Sequence, residues 1–93
     1  MADHRIFKYL IDLNKPRQHV AMPQDARILS VQIQHGECQL WALLDNSQPD
    51  VSRVFEVLPT GAFVDRAERL AFIGTVQTYG GSLVFHVFER RMG

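Results

Sequence analysis

The chain has a single cysteine, Cys38, among its 93 residues. One thiol excludes an internal disulfide, and the four histidines, His4, His19, His35 and His86, supply no zinc-ligand spacing. Charge of one sign is also missing: ten Lys and Arg balance ten Asp and Glu. That balance disfavours a nucleic-acid binder, whose footprint is usually basic, and equally an acidic mimic of DNA, although local patches remain open. No apolar run is long enough to span a membrane, and the start, MADHRIFKYLIDLNK, lacks the apolar core of a signal peptide. A soluble, cytoplasmic protein with no membrane partner is therefore expected. The phosphate loop, dinucleotide fingerprint and metalloprotease helix are absent, and Ser30 and Ser82 carry no nucleophile signature. With no convergent acid, base and nucleophile, the sequence implies no enzyme, no cofactor and no metal.

What is present is a chain of ordinary globular composition, 46% apolar, sized for one domain. So short a chain buries only about 60–65% of its unfolded surface, which makes oligomerisation a natural route to stability. Short runs of β-branched and aromatic residues, punctuated by Gly, Pro and Asn, predict strands. These lie at 5–11, 18–22, 27–34, 37–44, 51–58, 71–77 and 82–89. Pro16 and Pro23 bracket the second run, as suits an edge strand. Residues 62–69 read as one helical turn or an irregular crossing, with the charges of Asp65, Arg66, Glu68 and Arg69 in solvent. The expected fold is all-β: a small antiparallel sandwich or open barrel of six to seven strands.

Two hairpins anchor that reading. Between 27–34 and 37–44, His35-Gly36 fits a two-residue type I′ loop, which forces the pairing. Gln34 faces Glu37, Ile33 faces Cys38, Val31 faces Leu40, Ser30 faces Trp41 and Leu29 faces Ala42. One face is then apolar, with Leu29, Val31, Ile33, Cys38, Leu40 and Ala42. The other is polar but for Trp41. In the second hairpin, Gly80-Gly81 supplies the turn, and Gly74 within 71–77 signals a bulge or a close backbone approach. The run SLVFHVFE (82–89) is apolar on both faces, as in a central strand covered on each side.

The candidate ligand or interface residues follow from these patterns. Trp41 lies beside Gln32 and Gln39 on the polar face. It is either covered by another part of the chain or is a contact for a second subunit or ligand. His86 is a titratable group in the most apolar strand, read most simply as a hydrogen-bonded core or interface residue, with a catalytic or ligand role as the alternative. Phe88 shares its face. If a nucleotide is the ligand, Trp41 would stack on the base, and Arg53, Arg90 or Lys15 would meet phosphate. Lys15, Arg17 and His19 form the one local basic cluster, which gives weak, salt-sensitive phosphate binding at best.

The run ILSVQIQHGECQLWALLD (28–45), Thr60-Gly61 and IGTVQTYGGSLVFHVFE (73–89) resemble a family of short, uncharacterised proteins encoded mainly by bacteriophages and prophages. The opening IFKYLI and the Met22, Pro23, Ala26, Ile28, Leu29, Ser30, Val31 pattern extend the resemblance over nearly the whole chain. It departs at Ala62, where many members carry His after Thr-Gly, and at the DRAER stretch, where they carry an acidic loop. The resemblance implies a phage or prophage accessory protein of the bacterial cytoplasm. The functional expectation is a non-enzymatic, homo-oligomeric binding module with an anti-defence role, sequestering a host protein or a signalling nucleotide. The alternative is a structural or morphogenetic phage protein that makes contacts through its strand edges.

Overall fold

The computed structural model describes residues 3–92. Seven strands run through them: β1 (His4–Ile11), β2 (Arg17–Pro23), β3 (Arg27–Gln34), β4 (Glu37–Asp45), β5 (Asp50–Pro59), β6 (Leu70–Thr78) and β7 (Leu83–Arg90). The only helical pieces among the described residues are 3-10 turns at Ala67–Arg69 and Tyr79–Gly81. The strands form two antiparallel sheets, β1-β4-β3 and β2-β5-β7-β6. The fold is thus the expected all-β sandwich. β2 is an edge strand, as its flanking prolines suggest, and β7 lies inside its sheet.

Alternation along the strands decides what is buried. The three-stranded sheet contributes Ile11, Val31, Cys38, Leu40, Ala42 and Leu44 to the core, and the four-stranded sheet contributes Met22, Phe55, Val57, Val76 and Val87. Phe55, Met22, Leu40 and Val87 are fully enclosed. Burying a side chain of this size favours folding by about 1.5–3 kcal/mol, so these contacts hold the sheets face to face.

The β3–β4 hairpin turns through His35 and Gly36, both at positive φ (52° and 79°), as the type I′ loop requires. Its pairs run as expected from Gln34–Glu37 to Ser30–Trp41. There the expected register fails. A bulge at Leu29 makes Ile28, not Leu29, the partner of Ala42. The extra residue shifts the alternation by one, so Ile28 packs on the core while Leu29 is 45% exposed.

A second bulge falls at Ile73 in β6, where the pairing moves from Phe72–Phe88 to Gly74–Val87. Both readings of Gly74 hold there. A Cβ at this position would lie 2.8 Å from Val31 Cγ1, so β6 can approach β3 this closely only without a side chain. β3 and β6 form the principal contact between the sheets.

Candidate functional site

The outer face of the three-stranded sheet carries Trp41 and both of its glutamine neighbours. Trp41 pairs with Lys8 on β1 and Ser30 on β3, and Gln39 pairs with Leu10 and Gln32. Ile6, Leu10 and Leu43 occupy the same face, with Ile6 and Leu10 well exposed. Trp41 is half-buried. Lys8 Nζ donates to Gln34 Oε1 at 2.8 Å, which carries its stem across the outer side of β4 and covers apolar surface there. The face is therefore an apolar strip with a polar border, and Trp41 lies at its centre.

Beside this strip, β1 is an open edge. The Asp3 carbonyl accepts from Asn46 N–H at 2.9 Å, one step beyond the His4–Asp45 pair. Bonded and non-bonded pairs alternate in an antiparallel ladder. The main chain of Arg5, Phe7, Tyr9 and Ile11 therefore faces β4, and that of His4, Ile6, Lys8 and Leu10 faces outward. No strand among the described residues pairs with that side. The edge is eight residues long, contains no proline, and exposes Ile6, Phe7 and Leu10.

His86 and Phe88 lie elsewhere, on the outer face of the four-stranded sheet. His86 is bridged on both ring nitrogens, Nε2 with Thr60 Oγ1 (2.8 Å) and Nδ1 with Thr75 Oγ1 (2.9 Å). Each hydroxyl can donate or accept, so both ring nitrogens have a partner. Phe88 makes an edge-to-face contact with Phe72, centroids 5.5 Å apart. The outer side of β7 is half-buried within the single chain.

At one end of this face the sheet buries a carboxylate. Glu56, only 6% exposed, accepts from Arg17 Nη2 (2.9 Å) and Nε (3.1 Å), and from Arg90 Nε and Nη2. Burial acts to raise its carboxyl, but the hydrogen bonds and charges of Arg90 and Arg17 outweigh it and hold the group below its ordinary value. Arg90 also donates to the Asp65 carbonyl at 2.7 Å, tying the segment after β5 back onto the sheet.

Arg53 is on the opposite, inner side of this sheet, in a two-pronged ion pair with Glu89 (2.7 Å for each bond), and it also donates to the Ala26 carbonyl. Its charge is committed inside the sandwich and does not meet Trp41, so a stacking and phosphate site formed by these two residues is not assembled in one chain. Cys38 is buried, and burial pushes its thiol up to about 11, which makes it a small apolar residue of the core. A pocket of about 860 Å³ opens at the end of the sandwich where β1 ends and β6 turns into β7. It is lined by Leu13, Ile33, Phe85 and Thr78 among others. The Thr78 hydroxyl is buried there without a partner among the described residues. Among those residues no three His, Cys, Asp or Glu side chains converge as a metal site.

The sequence reading missed one cluster. Arg17 shares its strand face with His19, and its guanidinium is bound to Glu56. It lines a pocket of about 400 Å³ with Arg66, Arg69, Arg90 and Arg91, together with Asp65 and Met92. The five arginines come from three distant segments, so no local run announces them.

Neither curated proteins nor solved structures offer a match to this chain. The family described as "Domain of unknown function (DUF7352)" matches residues 2–93, and the chain belongs to that family.

Proposed function

We propose that the protein is a non-enzymatic binding module that works as a homodimer joined through the free edge of β1. The open, proline-free edge with its outward row of backbone groups is the observation that carries this reading. Such an edge is a template for another strand, and a second copy of β1 fits it in one register. If two β1 strands pair antiparallel about Phe7, His4 meets Leu10 and Ile6 meets Lys8, so about eight backbone hydrogen bonds form between the outward-facing residues. Arg5 then meets Tyr9, and Phe7 meets its own symmetry mate. A shift of the centre to Lys8 sets two like charges opposite each other, which is destabilising, and a shift to Ile6 loses a bonded pair.

Bonds of this kind contribute about 0.5–1.5 kcal/mol each, or roughly 4–12 kcal/mol together. Association costs about 4–15 kcal/mol. The two ranges nearly cancel, so the apolar cross-strand pairs decide the outcome, and a weak, reversible dimer of about millimolar strength, or about 4 kcal/mol, is expected. Pairing makes the two Trp41 strips into one wide face on a continuous six-stranded sheet, suited to a host protein. A phage or prophage accessory protein of the bacterial cytoplasm, with an anti-defence role, is the setting that the sequence resemblance supports. A morphogenetic role through the same edge is the second reading, separated from the first by the presence of the protein in purified particles.

Ile6→Pro tests the dimer. Its N–H faces the free edge, so proline removes an intermolecular donor and leaves the β4 ladder whole. Sedimentation velocity across a concentration series is expected to show a dimer for the wild type and a monomer with unchanged circular dichroism for the variant. A wild type that stays monomeric at about 1 mM, where a dimer of that strength is substantially populated, refutes the reading.

A further inference from the structure

We infer that the arginine pocket beside Glu56 is a binding site for the phosphate groups of a phosphorylated small molecule. Five of the chain's ten cationic side chains line this one pocket, although the whole chain is neutral. Glu56 and Asp65, with Glu68 close enough for its charge to reach Arg90, return negative charge, but the arginines outnumber these three carboxylates. The floor is built rather than incidental. Arg90 is 6% exposed and is held by Glu56 and the Asp65 carbonyl. Arg17 is fixed by the same carboxylate and keeps half of its side chain in solvent. The rim is fixed by the backbone: Arg69 N–H donates to the Arg66 carbonyl at 2.9 Å, and Arg91 N–H to the Arg69 carbonyl at 2.8 Å. Arg66, in the left-handed conformation (φ 51°), and Arg91 are both exposed, and neither side chain has an ion-pair or hydrogen-bond partner among the described residues.

Guanidinium groups match phosphate oxygens in planar, two-pronged contacts. Two anchored arginines below and two uncommitted ones above thus form a cradle whose floor is fixed and whose rim side chains are free to close on a doubly charged oxyanion. The volume lies within the range of small-molecule sites, about 300–1,000 Å³. The site is on the four-stranded sheet, away from β1, and does not depend on the dimer.

The test is a titration of the isotope-labelled full chain with inorganic pyrophosphate, followed by the arginine Nε–H signals, with orthophosphate as a parallel arm. Saturable shifts at Arg17, Arg66 and Arg91 are expected, weakening as salt rises. Arg66→Ser combined with Arg91→Ser is expected to weaken binding by about tenfold or more through loss of two charge-assisted contacts. Arg27→Ser, an exposed arginine on the other sheet, is expected to leave it unchanged. Backbone amide spectra of the same samples show whether each variant is folded. Tighter binding of pyrophosphate than orthophosphate assigns a diphosphate group, and equal binding assigns a single phosphoryl group. The inference is overturned by absence of saturable shifts up to about 5 mM, which covers dissociation constants of about 1 mM. It is equally overturned if folded Arg66→Ser/Arg91→Ser protein binds as the wild type does.

Discussion

Replacing Glu56 with Gln removes one negative charge and almost no volume, and the structure sets what that costs. The side chains of Glu56 and Arg90 are 8% and 4% exposed, so the guanidinium loses its counter-charge without gaining water. Breaking a buried pair from one side costs about 3–5 kcal/mol. Gln keeps an acceptor oxygen, so the lower figure of about 3 kcal/mol applies. A domain of this size has only about 5–15 kcal/mol in total, and loses roughly 4–8 °C of melting temperature per kcal/mol. Glu56→Gln should therefore melt roughly 12–24 °C below the wild type. Asp3→Asn is the control: the Arg5–Asp3 pair is 58% and 51% exposed, and such pairs contribute about 0–1 kcal/mol. Removing both buried charges, as Glu56→Leu with Arg90→Met, should restore most of the loss, because an apolar pair needs no counter-charge.

The acid dependence gives a second reading of the same network. The Glu56 carboxyl is held below its ordinary value of 4.5, so its contribution is complete above that pH and disappears as pH falls through the lower, folded value. Differential scanning calorimetry between about pH 7 and pH 3, a window that spans the ordinary carboxylate range, should show wild type and Glu56→Gln converging as acid is added. A Glu56→Gln melting temperature within about 4 °C of wild type, the equivalent of 1 kcal/mol or less, would refute the reasoning. So would a constant gap across the pH range.

Two further outcomes follow from the bulges. Gly74→Ala places a methyl 2.8 Å from Val31 Cγ1, and Val31 is buried and stiff at χ1. Chemical denaturation should show a loss of about 1–3 kcal/mol. Ile28→Ala should cost about 2 kcal/mol or more, as a truncation against the core, whereas Leu29→Ala should stay within about 0.5 kcal/mol because Leu29 points outward. The reverse order would show that the β3 bulge is misplaced.

The β3–β4 hairpin was legible because its turn is self-specifying. Gly36 after His35 permits only a short loop, and the loop forces each pair that follows. The bulge at Leu29 was not, since Ile28 and Leu29 are both large and apolar and the alternation reads acceptably in either register. Gly74 could be read as a bulge or a close approach because a glycine within a β-branched run has few other reasons to be there. Trp41 was correctly grouped with Gln32 and Gln39 from the hairpin alone. Arg53 was not legible as an inner residue, because its partners Glu89 and the Ala26 carbonyl lie far away in sequence. The arginine pocket shares that difficulty. Arg17, Arg66 and Arg91 become neighbours only once β2 and β7 share a sheet and the segment after β5 is tied back by Arg90.

The meeting of β3 and β6 gives the sandwich the construction of a bound book. Gly74 against Val31 is the spine, where a missing side chain lets the two covers touch. β1 and β2 are the outer margins of the covers, and each has a strand neighbour on one side only. Small rotations about a spine produce their largest displacement at the opposite margin, so the edge offered to a second copy is also where the two sheets part most easily. A strand added to β1 would lengthen that cover alone and leave the β2 margin as it is, so association at the edge and the spacing of the two sheets are separate matters.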